Sequence, residues 1–126
     1  MPKKNALAII FNCHCLPERS FFFRGRQFPV CARCTGVIAG YVLGIISAFL
    51  LIFDWYIALI LMIPLITDGF IQHLTKYESN NIKRLITGIL FGIATVHLLI
   101  NIHLGTLELA KHFVGYLARN GYLWFD

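Results

Sequence analysis

The feature that most constrains this chain is an uncharged apolar run from about Thr35 to Phe53 (TGVIAGYVLGIISAFLLIF), followed by two more runs of similar length. A helix needs about 20 mostly apolar residues to cross the hydrocarbon core of a bilayer. The second run extends from about Trp55 to Leu74, with Pro64 in its middle and Asp68, Gln72 and His73 in its final third. The third extends from about Arg84 to Leu104 and contains His97 and Asn101. Composition agrees: 58% of the 126 residues are hydrophobic and 13% charged, whereas soluble domains run nearer a quarter charged. These figures exclude an ordinary water-soluble domain and a disordered chain, and the length suits one domain. The expected fold is an all-α membrane protein forming a single integral membrane domain over 1–126. It has three transmembrane helices (35–53, 55–74 and 84–104), a Cys/His-containing N-terminal segment (1–34) and an amphipathic C-terminal helix (106–126).

Connections and charges set the topology. Essentially only Asp54 separates the first two runs, which implies a helical hairpin. The polar loop Thr75–Asn81 separates the second and third, and Ser79 or Asn80 suits a helix cap. In the tail, Leu109, Phe113, Tyr116 and Leu117 fall on one helical face while Lys111 and Arg119 interrupt any spanning run. This pattern predicts an interfacial helix, anchored by Tyr122, Trp124 and Phe125. Residues 5–12 suit a similar short interfacial piece. The apolar run Ala6–Phe11 is too short for a secretory signal, so the chain is expected to keep its N-terminus.

Eleven Lys/Arg against six Asp/Glu give a net charge of +5. In so apolar a chain this reports membrane topology and anionic headgroups rather than nucleic acid. With the N-terminus inside, nine basic residues (Lys3, Lys4, Arg19, Arg24, Arg26, Arg33, Lys76, Lys83 and Arg84) fall on the cytoplasmic side, against Lys111 and Arg119 outside. A multi-pass cell-membrane protein with a cytoplasmic N-terminus is expected. Whichever way the bundle is inserted, the cysteine segment, the end of the second helix and the start of the third share one side.

All four cysteines (Cys13, Cys15, Cys31 and Cys34) precede the first span. Together with His14 they offer five soft or borderline ligands in two clusters, and Cys31-x-x-Cys34 can grip one edge of a tetrahedral metal. Zinc is the expected ion, another transition metal the alternative. Cys13, Cys31 and Cys34 are the stronger ligands, with His14 and Cys15 competing for the fourth place. Thiol redox chemistry is a second reading, because Cys34 opens a helix whose N-terminus lowers a thiol pKa. Structural cysteines are a third.

Asp68 and Gln72 stand at i, i+4 on one helical face, and an intramembrane aspartate usually faces the bundle interior and marks a site. Glu78 and Arg84 either pair with each other or present charge to a bound group. His97 and Asn101, also i, i+4, read as interhelical hydrogen-bonding groups. Gly36, Gly40 and Gly44 line one face of the first helix, and Gly88 and Gly92 one face of the third. Small-xxx-small faces of this kind pack helices closely, within the chain or across a homodimer.

The combination Cys13-His14-x-x-Pro17-x-Arg19-Ser20-Phe21, Cys31-x-Arg33-Cys34-Thr35-Gly36, Asp68-Gly69-x-x-Gln72 and Glu78-Ser79-x-Asn81-x-x-Arg84-x-x-Thr87-Gly88 resembles the small prokaryotic membrane proteins grouped as domain of unknown function 2085. The resemblance runs from about residue 13 to 92 and implies an integral membrane protein, without assigning an activity. It implies that Cys13, His14, Cys31 and Cys34 belong together with Asp68, Gln72, Glu78 and Arg84. Cys15 departs from the pattern, which favours His14 as fourth ligand.

The expected function is a zinc-binding membrane protein with a polar site at the cytoplasmic interface, acting as a metal-dependent hydrolase or transferase on an anionic, lipid-like substrate. Asp68 or Glu78 serves as general base, Gln72 belongs to the same site, and Arg19 and Arg84 hold the anion. The alternatives are a membrane thiol oxidoreductase using Cys31 and Cys34, and a non-enzymatic metal-handling or transport component. Membrane lipids and a second copy through the Gly36/Gly40/Gly44 face are the expected partners.

Overall fold

The structure is a computed structural model that describes residues 6–11, 13, 14 and 16–122. Three long helices follow a small N-terminal subdomain. A short helix, α1 (Ala6–Ile10), leads through a single 3-10 turn (Pro17–Arg19) into two strands, β1 (Ser20–Phe23) and β2 (Arg26–Cys31). The helices are α2 (Ala32–Leu50), α3 (Trp55–Leu74) and α4 (Asn81–Arg119). All three are long and apolar enough to cross a membrane.

The β-hairpin did not figure in the sequence expectations. Arg24 and Gly25 connect its strands with φ of 49° and 75°, the two positive values of a type I′ turn, whose twist matches that of paired strands. Phe23 pairs with Arg26, Phe22 with Gln27, and Ser20 with Cys31 across a bulge. The local signal was present: Phe21-Phe22-Phe23 runs straight into Arg24-Gly25. The pairing carries the chain out and back, so that Cys31 returns beside the segment holding Cys13. Ala8, Cys13 and Val30 form a small buried cluster there, with Cys31, Cys34 and Ile38 packed against it.

α2 and α4 run parallel and meet along their glycines. Gly36, Gly40 and Gly44 are buried on α2, and Gly88 and Gly92 on α4. A Cβ on Gly88 would lie 2.5 Å from the Arg33 carbonyl oxygen, and one on Gly92 2.5 Å from that of Val37. Cβ atoms on Gly36 and Gly40 would strike the carbonyls of Leu85 and Ile89. Contact this close replaces the hydrophobic drive that helices lack in lipid. Because α4 covers the Gly36/Gly40/Gly44 face within the chain, that face is not open to a second copy. α3 runs antiparallel and packs more loosely, with Ala58 its one buried residue among those described.

α2 and α4 each begin three residues earlier than expected, at Ala32 and Asn81, and their far ends depart from expectation as well. α2 stops at Leu50 rather than Phe53, because the turn's backbone is held by α4. The Phe53 N–H donates to His97 Nδ1 at 3.3 Å, and its carbonyl accepts from Asn101 Nδ2 at 2.7 Å. The interhelical role expected of His97 and Asn101 is therefore what the structure displays. At the other end, the third span and the tail form one helix through Gly105, not a span followed by a separate amphipathic helix at 106–126. A single glycine costs a helix only about 1 kcal/mol relative to alanine, and Thr106 bonds back to the Ile102 carbonyl at 2.7 Å. At 1.5 Å per residue α4 is about 58 Å long, roughly twice the hydrocarbon thickness. The anchoring residues Trp124 and Phe125, like Lys3, Lys4 and Cys15, lie outside the described residues. Asn80 is the N-cap residue of α4, without a side-chain capping bond.

Candidate metal and anion site

The hairpin, the α2 N-terminus, the α3 C-terminus and the α4 N-terminus converge at one end of the bundle. β2 ends in Cys31, α2 begins at Ala32, and Cys34 lies one turn inside it. The loop after α1 contributes Cys13, which is 4% exposed. The Cys31 backbone N–H donates to Cys13 Sγ at 3.2 Å, and the Cys31 and Cys34 sulfurs lie 3.5 Å apart, well beyond the about 2.05 Å of a disulfide. All three Sγ atoms fall within 4.8 Å of one another. Thiolates around a tetrahedral zinc, at about 2.3 Å from the ion, stand about 3.8 Å apart. The three sulfurs are therefore close enough to share a metal ion, and the N–H to Cys13 is the kind of outer contact that orients a ligand. His14 is exposed and outside this trio, although it lines the same cavity.

That cavity, of about 220 Å³, lies between the thiols and three guanidinium groups, those of Arg19, Arg33 and Arg84, with Gln72 beside them. Asp68 organises this wall from behind. Its Oδ2 accepts from Arg33 at 2.5 Å and from Gln72 Nε2 at 2.8 Å. Gln72 Oε1 in turn accepts from Arg84 at 3.4 Å. Asp68, Gln72 and Arg84, named from the sequence, thus form one chain of contacts with Arg33. Glu78 does not pair with Arg84; it meets Arg19 at 3.6 Å, with 71% of its side chain exposed. Both line a second, polar cavity of about 330 Å³ that shares Arg19, Arg33 and Gln72 with the first. His73 is exposed on that cavity.

Arg33 is the member whose role the sequence reading understated. It lies inside the Cys31-x-x-Cys34 motif and pairs with the half-buried Asp68 of α3. A usable signal existed, since a carboxylate within a membrane helix needs a counter-ion and the arginines of the cysteine segment lie on its side.

A family described as "Predicted membrane protein (DUF2085)" matches residues 13–98, a stretch that contains every residue of this site. The chain belongs to that family. Two relatives are an uncharacterized protein of Methanothermobacter thermautotrophicus and one of Methanocaldococcus jannaschii. The first is 44% identical over 88 residues, which is 66% of this chain and 79% of the relative. The second is 40% identical over 92 residues, which is 67% of this chain and 58% of the relative. No solved structure matches. The family is one of membrane proteins, and the three-cysteine group could hold a metal ion.

Proposed function

We propose that this protein is a membrane-embedded zinc protein whose centre is held by Cys13, Cys31 and Cys34 at the cytoplasmic interface. The observation that carries the reading is the approach of three sulfurs to within 4.8 Å around a common point. The sequence count, with nine of the eleven basic residues either before the first span or between the second and the start of the third, supports its cytoplasmic placement. Three protein ligands leave a fourth position for His14 or for an exchangeable group facing the cavity. Bound zinc supplies Lewis acidity and lowers the pKa of coordinated water.

On this reading the site carries out hydrolysis or transfer on an anionic, lipid-like substrate. Arg19, Arg33 and Arg84 hold the anion. Asp68 already accepts from Arg33 and Gln72, so it suits positioning; Glu78, exposed on the neighbouring cavity, suits proton transfer. Elemental analysis of protein purified without chelator should find about one zinc per chain. Protein that neither carries zinc nor takes it up on titration overturns the reading.

A second reading rests on the 3.5 Å separation of the Cys31 and Cys34 sulfurs at the α2 N-terminus, the arrangement of a dithiol oxidoreductase. Thiol titration across a series of redox buffers decides it. Failure of Cys31 and Cys34 to form a disulfide under any of them removes it.

A further inference from the structure

We propose that the arginine-lined cavity is a binding site for a phosphate group, presented as a lipid headgroup or as free phosphate. This deepens the anionic-substrate reading above, on which it rests, and names its chemistry. Arg84 is 4% exposed, and among the described residues no carboxylate lies within 4.0 Å of it. Its guanidinium donates to the neutral Gln72 at 3.4 Å. A guanidinium held out of water without a counter-ion is costly, so such a group calls for an anion. Arg33 gives the same indication. It turns one amino group to Asp68, yet its Nε is buried with no acceptor among the described residues. Arg19 is tied to Glu78 only by an exposed contact, which an incoming anion can displace at little cost.

The charge balance points to phosphate. The two cavities and the adjoining groove between α3 and α4 are lined by Arg19, Arg33, Arg84, Lys76 and Lys83 against Asp68 and Glu78. That is an excess of three positive charges. A zinc ion on three thiolates carries one negative charge and leaves an excess of two. A phosphate monoester brings about −1.5 to −2, and the guanidinium fork pairs with its oxygens two at a time. The groove supplies room for an attached chain. It measures about 630 Å³, has walls of Ile63, Pro64, Ile71 and Ile86, and reaches Asp68 and Tyr77. Tyr77 also lines the polar cavity, so an acyl chain in the groove would lead its headgroup toward the arginines.

The test uses the full chain in phosphatidylcholine nanodiscs, zinc-loaded and metal-free, with zinc per chain measured in every sample. Unfolding temperature is followed with added inorganic phosphate, with phosphatidic acid in the disc, and with oleate as a carboxylate control. Stabilisation by phosphatidic acid alone identifies a headgroup site, and stabilisation by inorganic phosphate identifies a site for the free ion. Arg84→Gln should weaken the apparent affinity about 10- to 100-fold, the loss of a charge-assisted contact, and Arg84→Lys should restore part of it. If Arg84→Gln does not fold, Arg19→Gln, exposed on the cavity, should still reduce the shift. No shift with either phosphate source, equal shifts in wild type and the arginine variants, or an equal shift with oleate overturns the proposal. Zinc without a phosphate response removes the anion site and leaves the metal centre; a phosphate response without zinc does the reverse.

Discussion

At the Ser47 end of the α2–α4 seam, His97 is wholly buried and fully partnered. Its Nδ1 accepts from the Phe53 N–H, which leaves Nε2 to donate to Ser47 Oγ at 2.9 Å, and Ser47 donates onward to the Gly44 carbonyl at 3.0 Å. At the Cys34 end of the same seam, Arg33 keeps a buried Nε with no acceptor among the described residues, Arg84 is buried with no described carboxylate within 4.0 Å, and three sulfurs border a cavity of about 220 Å³. Both clusters put polar groups where water is scarce, and such groups are costly unless hydrogen-bonded. The first closes on itself and staples the α2–α3 turn to α4. The second opens on a cavity, where the metal and anion proposed above would bind.

Substitutions at the two ends should behave accordingly. Replacing Cys13 and Cys34 together by serine should take the proposed centre from about one zinc per chain to none, because a single remaining thiolate cannot hold the ion. A double variant that retains stoichiometric zinc, measured by elemental analysis, breaks the comparison at its open end. His97→Ala should cost about 2–4 kcal/mol, from the cavity and the stranded Phe53 N–H. Unfolding should register that loss while the folded fraction keeps its zinc. An unaltered melting temperature would contradict a stapling role.

Asp68→Asn should cost about 1–3 kcal/mol by removing the carboxylate from Arg33, with zinc content unchanged. Loss of zinc in that variant would instead assign Asp68 to the coordination shell. Glu78→Gln should change stability by less than about 1 kcal/mol, since its pair with Arg19 is exposed and screened. A larger effect on unfolding would show that the polar cavity is closed in solution.

Local pattern made part of this legible. Trp55–Leu74 is α3 to the residue, because its charge-free start and polar end are both written in the sequence. The glycine spacing foretold a close helix contact but could not say whether the partner was α4 or another copy. The cysteine spacing marked a site, yet the trio forms only because a type I′ turn at Arg24-Gly25 folds Cys31 back toward Cys13. Glu78 and Arg84 are near in sequence, and proximity suggested a pair. In space the 3-10 turn brings Arg19 to Glu78, and α3 brings Gln72 to Arg84.

Among the described residues, Arg19, Arg24, Arg26, Arg33, Lys76, Lys83 and Arg84 lie toward the end of the bundle that holds the thiols. Hydropathy and charge by themselves determined three helices long and apolar enough to span a membrane and their common polar end, since burial in lipid depends on composition over about 20 residues. Which charges pair and which stay open was decided only by tertiary structure. Pairing depends on distances of a few ångströms between residues as far apart as Arg33 and Asp68, which no local spacing encodes.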